Sequence, residues 1–286
     1  MSTQSLPAGR PSHDGADDAG LCIALWQTTG FPGDVPANLA ALETCAAAAA
    51  GAGAQILLTP ECWLGGYHIG DAVPRVAETR NGPSAARIAD IARHHRVAIV
   101  YGYAERDAES GALYNAAQMI APDGTAPAHY RKAHLWGAYE RQYYQAGNVF
   151  GPPVSFGGFR VGLLICYDIE YPEAVRALAL QGADLLLVPT ALSCEFACVP
   201  DYVVPARAVE NQIFVAYCNH AGEENGLRFL GGSCLVGVDG RAVARAGEGE
   251  ALIIGEISQT TRRAALEVYS YVTDRRPELY GRLLSA

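Results

Sequence analysis

The stretch Gly53-Ala-Gln-Ile-Leu-Leu-Thr-Pro60 recurs later in the chain as Gly182-Ala-Asp-Leu-Leu-Leu-Val-Pro189. Each copy is a short apolar run that begins at a glycine and ends at a proline, a pattern that favours a buried strand. An alanine-rich stretch that favours a helix precedes each copy, at 36–50 and at 172–181. The chain is therefore predicted to contain two related halves.

Both halves continue in the same way after these strands. A further helix and a further strand are predicted at 84–95 and 97–101 in the first half, and at 206–211 and 213–217 in the second. Asp-Gly pairs that end at Gly124 and Gly240 then predict hairpins. Ser84 is the predicted N-cap of its helix, one face of which is apolar. Because such helices alternate with strands, each half is predicted to be an α/β unit with its helices on one face of a sheet.

A cysteine lies where another apolar run ends, in Arg160-Val-Gly-Leu-Leu-Ile-Cys-Tyr-Asp-Ile-Glu-Tyr-Pro-Glu173. Residues 161–165 are a predicted strand, and Pro172 is the predicted start of a helix that runs to Leu180. Cys166 is thus predicted to lie in a strand-to-helix turn, at the strand end where α/β sheets bind ligands. The alternative interpretation is a buried structural thiol, since free cysteine is among the most buried residue types.

Two other segments place charged residues in unusual surroundings. Glu61 directly follows the apolar run 54–60, where a buried carboxylate without a partner is costly. Lys132 lies in Tyr130-Arg-Lys-Ala-His-Leu-Trp-Gly-Ala-Tyr-Glu140, which mixes charge with bulky aromatic residues and has no amphipathic period. Taken singly, each has a simpler interpretation: a solvated glutamate at a strand end and a surface lysine.

Taken together, Glu61, Lys132 and Cys166 resemble the catalytic residues of the nitrilase superfamily of carbon–nitrogen hydrolases. The resemblance extends from about residue 21 to the end of the chain and includes Glu140-Arg, Ala-Gly-Asn148, Val-Pro-Thr190-Ala and Pro-Ala-Arg-Ala-Val-Glu-Asn211. It implies an α/β fold of the nitrilase type, a four-layer α-β-β-α sandwich with an internal pseudo-two-fold duplication. It also implies that Glu61 is the general base, Lys132 the electrostatic stabiliser, Cys166 the nucleophile and Glu140 a second, supporting carboxylate.

These residue types suit the hydrolysis of an amide. A cysteine nucleophile divides the reaction into two easier steps through a thioester. Lys132 is expected to depress the pKa of Cys166 below the usual value of about 8.5 for a thiol. Lys132 and the backbone N–H of Tyr167 are expected to form the oxyanion hole, while Glu61 moves the protons. We predict that Cys166→Ala, Glu61→Gln and Lys132→Ala each nearly abolish turnover.

Within the family, the segments Cys166-Tyr-Asp-Ile-Glu170 and Tyr271-Val-Thr-Asp-Arg-Arg-Pro-Glu-Leu279 look most like the aliphatic amidases that include 5-aminopentanamidases and stereoselective amidases. This resemblance implies hydrolysis of a small aliphatic carboxamide to the acid and ammonia. A nitrilase or an N-carbamoyl-amine hydrolase would use the same residues, and an acyltransferase would pass the thioester to another acceptor. A catalytically idle, nitrilase-like scaffold is an alternative of another class.

Several residues are predicted to bind the substrate: Tyr67, Trp136, Tyr167, Thr190, Ala191 and Glu195. Trp136 and Tyr167, with Tyr139 and Tyr143, are expected to wall a compact apolar cavity, although ordinary aromatic packing explains them equally well. Glu195 or Glu170 is expected to receive a cationic end of the substrate.

Two further alternatives involve histidine and metal. His134 and His220 are available for a Cys–His pair, the commoner activation of a cysteine nucleophile, but they rank below the Glu and Lys scheme. Cys194 and Cys198 have a C-x3-C spacing without a second ligand pair at a zinc-site interval, so they are expected to pack or to line a wall. No metal and no cofactor is expected.

Composition indicates the setting of the protein. The 286-residue chain has a net charge of −9, which argues against binding to nucleic acid and to anionic membranes. Residues 1–20 are predicted to be a disordered tail without the apolar core of a secretory signal. Eight scattered cysteines then predict reduced thiols in the cytoplasm. Residues 21–266 are the predicted hydrolase domain, and 267–286, rich in Tyr and Arg, are expected to lie at the interface of a homodimer or higher homo-oligomer.

Overall fold

The computed structural model describes residues 20–268 and 270–281. The predicted N-terminal tail, apart from Gly20, lies outside the described residues, as does the end of the predicted C-terminal tail. Within the described ranges, every helix is too short or too polar to span a bilayer.

The strands are numbered in chain order. The first seven are β1 (Leu21–Gln27), β2 (Ile56–Leu58), β3 (Ala98–Arg106), β4 (Leu113–Ile120), β5 (Ala128–Arg131), β6 (Val154–Phe156) and β7 (Phe159–Leu163). The remaining strands are β8 (Leu185–Pro189), β9 (Phe214–Cys218), β10 (Glu223–Glu224), β11 (Leu227–Arg228), β12 (Cys234–Val236), β13 (Ala242–Arg245) and β14 (Ala251–Ile257). The α-helices are α1 (Val35–Gly51), α2 (Val73–Val76), α3 (Pro83–His95), α4 (Gly137–Tyr143), α5 (Pro172–Leu180), α6 (Val204–Asn211) and α7 (Gln259–Val268).

The strands form two six-stranded sheets with equivalent orders. The first sheet runs β14-β1-β2-β3-β4-β5, and the second, taken from its other edge, runs β6-β7-β8-β9-β12-β13. In both sheets the second, third and fourth strands are parallel, while each outer strand pairs antiparallel with its neighbour. The predicted duplication is confirmed, and so are the two hairpins, β4–β5 and β12–β13.

Alternation along the strands explains the layers. In β1, Leu21, Ile23 and Leu25 belong to the core that joins the two sheets and includes residues of α5 and α6. Ala24, on the opposite face, belongs to a separate core with residues of α1 and α3. Because successive side chains of a strand point to opposite faces, these two cores lie on the two sides of the first sheet. The arrangement is the predicted α-β-β-α sandwich.

The start of α3 differs from the prediction. The helix begins at Pro83, so Ser84 lies inside its first turn and is not the N-cap. Proline is favoured at this first position because its missing N–H would have no acceptor there. The Ser84 backbone N–H and hydroxyl instead donate to the Glu78 carboxylate, at 2.9 and 2.6 Å. By contrast, α5 spans Pro172–Leu180, the predicted bounds.

Candidate active site

The residues that follow β2, β7 and β8 meet at one end of the sandwich. Glu61 comes just after β2 in the first sheet, and its backbone N–H donates to the Thr190 carbonyl, just after β8 in the second sheet, at 3.3 Å. Cys166 follows β7 and begins a short 3-10 turn that ends at Glu170. The junction between the two halves therefore brings the two predicted reactive side chains to the same place.

Lys132 and two glutamates form a buried charged cluster at this junction. The Lys132 Nζ donates to Oε1 of Glu61 and to Oε1 of Glu140, both at 2.6 Å. All three side chains are fully buried. The simpler interpretations, a solvated glutamate and a surface lysine, are therefore wrong. An ammonium has three N–H donors, so one remains for another acceptor.

Backbone contacts hold the lysine in place. The Lys132 N–H donates to the Asn115 carbonyl in β4, and its carbonyl accepts from Gly147, each at 2.8 Å. The Asn115 side chain also donates to Glu61 Oε1 at 2.6 Å. Sequence reasoning missed Asn115, one of two amide side chains in β4, because its partner Glu61 lies 54 residues away in the chain.

Burial and mutual charge set the protonation of the cluster. Burial raises the pKa of Glu61 to about 7 against the lowering effect of Lys132, and the nearby Glu140 raises it further. Burial alone would lower the pKa of Lys132, but Glu140 and Glu61 raise it well above its usual value. Lys132 is therefore held as an ammonium, and the pKa of Glu61 lies near neutral pH.

Cys166 is buried and held in a left-handed backbone conformation with a φ of 47°. Such a conformation is unusual for a residue with a side chain and is typical of functional sites. Burial raises the pKa of its thiol well above the usual range, and the charge of Glu61 raises it further. Lys132 and the backbone N–H of Ala191 lower it without reversing the shift.

Lys132 lowers the pKa of Cys166, as expected, but burial and the charges of Glu61 and Glu140 raise it by more. The two carboxylates beside the lysine offset its charge, and the sulfur is shielded from water. The Cys166 side chain is therefore a protonated thiol at neutral pH. Glu61 Oε2 is a buried oxygen without a hydrogen-bond partner among the described residues, whereas Oε1 is occupied by Lys132 and Asn115.

Asp168 joins the cysteine turn to the lysine loop. Its buried carboxylate accepts from the backbone N–H groups of Ile165 and His134, at 3.2 and 2.9 Å. It also accepts from the Tyr130 hydroxyl at 2.9 Å and from the His134 ring at 2.7 Å. Since these donors flank Cys166 on one side and Lys132 on the other, Asp168 fixes the two loops relative to each other.

The two candidate histidines have other partners. His134 donates to Asp168 and stacks on Tyr171 with the ring centres 4.0 Å apart. The His220 Nε2–H donates to the backbone carbonyl of Glu61 at 2.7 Å, and burial lowers its pKa to about 4. These contacts favour a supporting role for both rings over a Cys–His pair.

Cys194 and Cys198 are both exposed, so neither packs in the interior of the protein. The sulfur of Cys194 lies near the carbonyls of Arg228 and Phe229 at the protein surface. Among the described residues, no group of three or more His, Cys, Asp or Glu side chains is arranged to hold a metal ion.

The predicted substrate-binding residues fall into three positions. Tyr67 is buried, and its hydroxyl donates to Glu140 Oε1 at 2.8 Å, so it supports the charged cluster directly. Thr190 and Ala191 contact Glu61 and Cys166 through their backbone. Trp136 and Tyr167 lie nearer the surface. The backbone N–H of Trp136 donates to Glu140 Oε2 at 2.9 Å, and the ring of Tyr167 packs edge-on against the ring of Tyr171.

The two candidate acceptors of a substrate cation differ in their surroundings. Glu195 is exposed, and a hydrogen bond from the Ser193 side chain lowers its pKa. Glu170 is partly buried at the end of the cysteine turn, where burial raises its pKa against the lowering effects of Lys132 and Arg207. Glu170 therefore interacts electrostatically with Lys132, whereas Glu195 lies at the exposed surface of the protein.

Comparison with known proteins agrees with this geometry. The family model described as carbon–nitrogen hydrolase matches residues 22–266. A Pseudomonas protegens protein named as a hydrolase in the pqqF 5′ region is 45% identical over 262 residues, 91% of each chain. An (R)-stereoselective amidase of a Pseudomonas species is 38% identical over 260 residues, which are 91% of this chain and 93% of the relative.

Solved structures of an amidase from Nesterenkonia sp. AN1 are also similar. A glutamate-to-glutamine, cysteine-to-alanine double mutant in complex with acrylamide aligns with a TM-score of 0.81 and 34% identity, covering 94% of this chain and 99% of that one. A glutamate-to-glutamine mutant in which acrylamide has added to the active-site cysteine aligns with a TM-score of 0.79 and 35% identity, covering 92% and 99%. The similar structures, and one of these two relatives, are thus named as amidases.

Proposed function

This chain belongs to the carbon–nitrogen hydrolase family, and from that premise we propose that it is an amidase that converts a small aliphatic carboxamide to the carboxylic acid and ammonia. One observation carries the proposal: a buried ammonium lies between two carboxylates beside a buried thiol. Burying three charged side chains is costly, and charged groups with strongly shifted pKa values cluster at functional sites. The first half of the reaction, acylation, and the second, hydrolysis, both follow from this arrangement.

In acylation, Glu61 Oε2 takes the proton of the Cys166 thiol as the sulfur attacks the carbonyl carbon of the amide. The carbonyl oxygen becomes negative and is stabilised by the third N–H of Lys132 and by the backbone N–H of Tyr167. The N–H of Tyr167 is in the first turn of the 3-10 helix, where backbone donors lack a helical acceptor. The carbon–nitrogen bond then breaks, and Glu61 gives its proton to the departing ammonia.

In the second half-reaction, Glu61 takes a proton from a water molecule as the water oxygen attacks the thioester carbon. The same donors stabilise the second tetrahedral oxyanion. The carbon–sulfur bond breaks, and the proton on Glu61 returns to the Cys166 sulfur as the acid leaves. Glu140 keeps Lys132 aligned throughout, since its Oε1 accepts from both Lys132 and Tyr67.

The pH dependence of kcat/KM should report Glu61. The base is active only when it is deprotonated, so activity should fall as pH decreases through its pKa of about 7, well above the usual value of about 4.3 for glutamate. Initial rates measured from pH 5 to 9, a range chosen to bracket that pKa by about two units on either side, will locate this acid limb. Since Glu224 also has a pKa of about 7, the limb must persist in Glu224→Gln. A midpoint near the ordinary glutamate value would contradict the assignment.

Ammonia release tests the proposed reaction. The purified protein is incubated with small aliphatic amides, with the corresponding nitriles and with N-carbamoyl amines, and both ammonia and the acid are quantified. We expect the amides to be the best substrates. A clear preference for nitriles or carbamoyl compounds would assign one of the other activities that use the same residues. No ammonia release from any of these compounds, with no acyl adduct on Cys166, would favour the alternative of a catalytically idle scaffold protein.

We further propose that the protein is a cytoplasmic homodimer or higher homo-oligomer, with 21–266 as the hydrolase domain and the C-terminal segment at the interface. All eight cysteines are free thiols, which suits a reducing compartment. Leu180 at the end of α5 is half exposed, as are Tyr271 and Leu279 in the C-terminal segment. A molar mass measured by light scattering should be at least twice that of the 30.3 kDa chain, and truncation after residue 266 should lower it.

A further inference from the structure

A buried carboxylate outside the charged cluster lies under the loop that carries Tyr67. Glu224 belongs to the short hairpin β10–β11, and its side chain is almost fully buried. Its Oε2 accepts from the Tyr67 backbone N–H at 3.2 Å, and its Oε1 accepts from the His68 backbone N–H at 3.0 Å. The neighbouring Asn225 side chain donates to the His68 carbonyl at 2.9 Å. The hairpin therefore holds the backbone of Tyr67 and His68 from one side.

Tyr67 connects this hairpin to the charged cluster. Its hydroxyl donates to Glu140 Oε1 at 2.8 Å, the same oxygen that accepts from Lys132 at 2.6 Å. The ring of Tyr67 also packs edge-on against Phe229, which follows β11 and stacks on His220. A continuous set of contacts thus runs from Glu224 through Tyr67 and Glu140 to the ammonium of Lys132.

No cation among the described residues offsets the cost of burying Glu224. The groups that stabilise its charge are the two backbone N–H donors, and burial raises its pKa to about 7 in spite of them. Gly66, with a φ of 104°, lies close to this carboxylate: a Cβ added there would be 2.7 Å from Glu224 Oε1. A carboxylate kept at such a cost has a task that a smaller or neutral side chain does not perform.

We propose that Glu224 is a positioning residue: it fixes the position of the Tyr67 hydroxyl and, through Glu140, the position of the Lys132 ammonium beside Cys166. The inference rests on the proposed role of the Lys132 and Cys166 pair. Glu224 itself touches no reacting atom. It acts by fixing two successive backbone N–H groups, so the loop of Tyr67 cannot shift relative to α4. A substitution away from the reacting atoms that displaces a catalytic group by about 1 Å can reduce the rate by about a hundredfold.

A double-mutant cycle tests this proposal. Glu224→Gln, Tyr67→Phe and the double variant are compared with the wild type in two assays. One is kcat/KM for an amide, and the other is the rate at which iodoacetamide alkylates Cys166, followed by peptide mass. Glu223→Gln is the matched control, because Glu223 is the exposed neighbour in the same strand. Melting temperatures are recorded for every variant, since loss of the buried acceptor also affects stability.

We expect Glu224→Gln to lower both rates by about tenfold or more in the presence of Tyr67, and to have little further effect once the Tyr67 hydroxyl is absent. Glu223→Gln should leave both rates unchanged. Additive effects, or a loss of melting temperature without a change in either rate, would overturn the proposal. If Glu224→Gln does not fold, Glu224→Asp takes its place, and failure of both would assign Glu224 to general stability instead.

The two assays separate this proposal from the proposed activity. Alkylation of Cys166 needs no knowledge of the substrate. A non-additive cycle in alkylation together with no amide turnover by the wild type would support the positioning role and refute the amidase. Amide turnover by the wild type, together with additive effects of the two substitutions in both assays, would support the amidase and refute the positioning role.

Discussion

Replacing Cys166 with alanine is expected to reduce amide turnover by at least about 10⁴-fold, to the level of the buffer control. The substitution removes the thiol that is proposed to form the covalent intermediate, and it leaves Glu61 and Glu140 in place beside Lys132. The substitution removes one atom from a buried side chain, so the fold should persist. Ammonia release and the melting temperature measured on the same preparation will separate chemistry from stability.

Cys194→Ala is the matched control for this experiment. Cys194 is exposed, and its thiol donates to the backbone carbonyls of Arg228 and Phe229. Its replacement should leave kcat and KM unchanged. Substantial turnover by Cys166→Ala would refute the nucleophile assignment, whereas an equal loss in both variants would point to a general sensitivity to thiol loss.

Replacing Glu61 with glutamine should separate activity from stability. The amide has the same shape and still offers one oxygen to Lys132 and Asn115, but it cannot accept a proton. We expect turnover to fall by about 10²- to 10⁴-fold, the range usual for loss of a general base. Glu140→Gln is the matched comparison, because it removes one charge from the same lysine and leaves Glu61 in place. Its loss of turnover should be smaller.

The melting temperature of Glu61→Gln should equal or exceed that of the wild type. Burial raises the folded-state pKa of Glu61 to about 7, above the usual value of about 4.3 in an unfolded chain. Between these values the folded state binds more protons than the unfolded state, so the contribution of Glu61 to stability falls as pH rises. The advantage of glutamine should therefore grow from pH 5 to pH 8. A variant that keeps full activity, or one that loses stability progressively toward high pH, would contradict this account.

The sequence predicted most of the fold because the relevant signals are local. The repeated Gly53–Pro60 and Gly182–Pro189 runs became β2 and β8 at matching positions of the two sheets. Pro172 fixed the start of α5, since proline favours the first helical turn. The charged residues after the strands were recognisable for the same reason, because a glutamate or a cysteine at the end of an apolar run is unusual in either half.

The rest depends on contacts between distant parts of the chain. Asn115 reaches Glu61 across 54 residues, and Glu224 reaches Tyr67 across 157. Neither pairing has a local pattern. The protonated state of Cys166 likewise follows from burial and from two carboxylates brought together by folding. The alternation of residues in the sequence predicts which face is buried, but not which charge lies opposite.

The most direct test of the account is to identify the residue that carries the acyl group. An activated ester of a small aliphatic acid makes acylation fast, so the covalent intermediate accumulates before water discharges it. The reaction is quenched in acid within the first turnover, the protein is digested, and the peptide masses are measured by mass spectrometry. We predict one acyl group on the Cys166 peptide, which disappears as the acid is released and is absent from Cys166→Ala. Turnover with the acyl group on another residue, or on none, would contradict the mechanism.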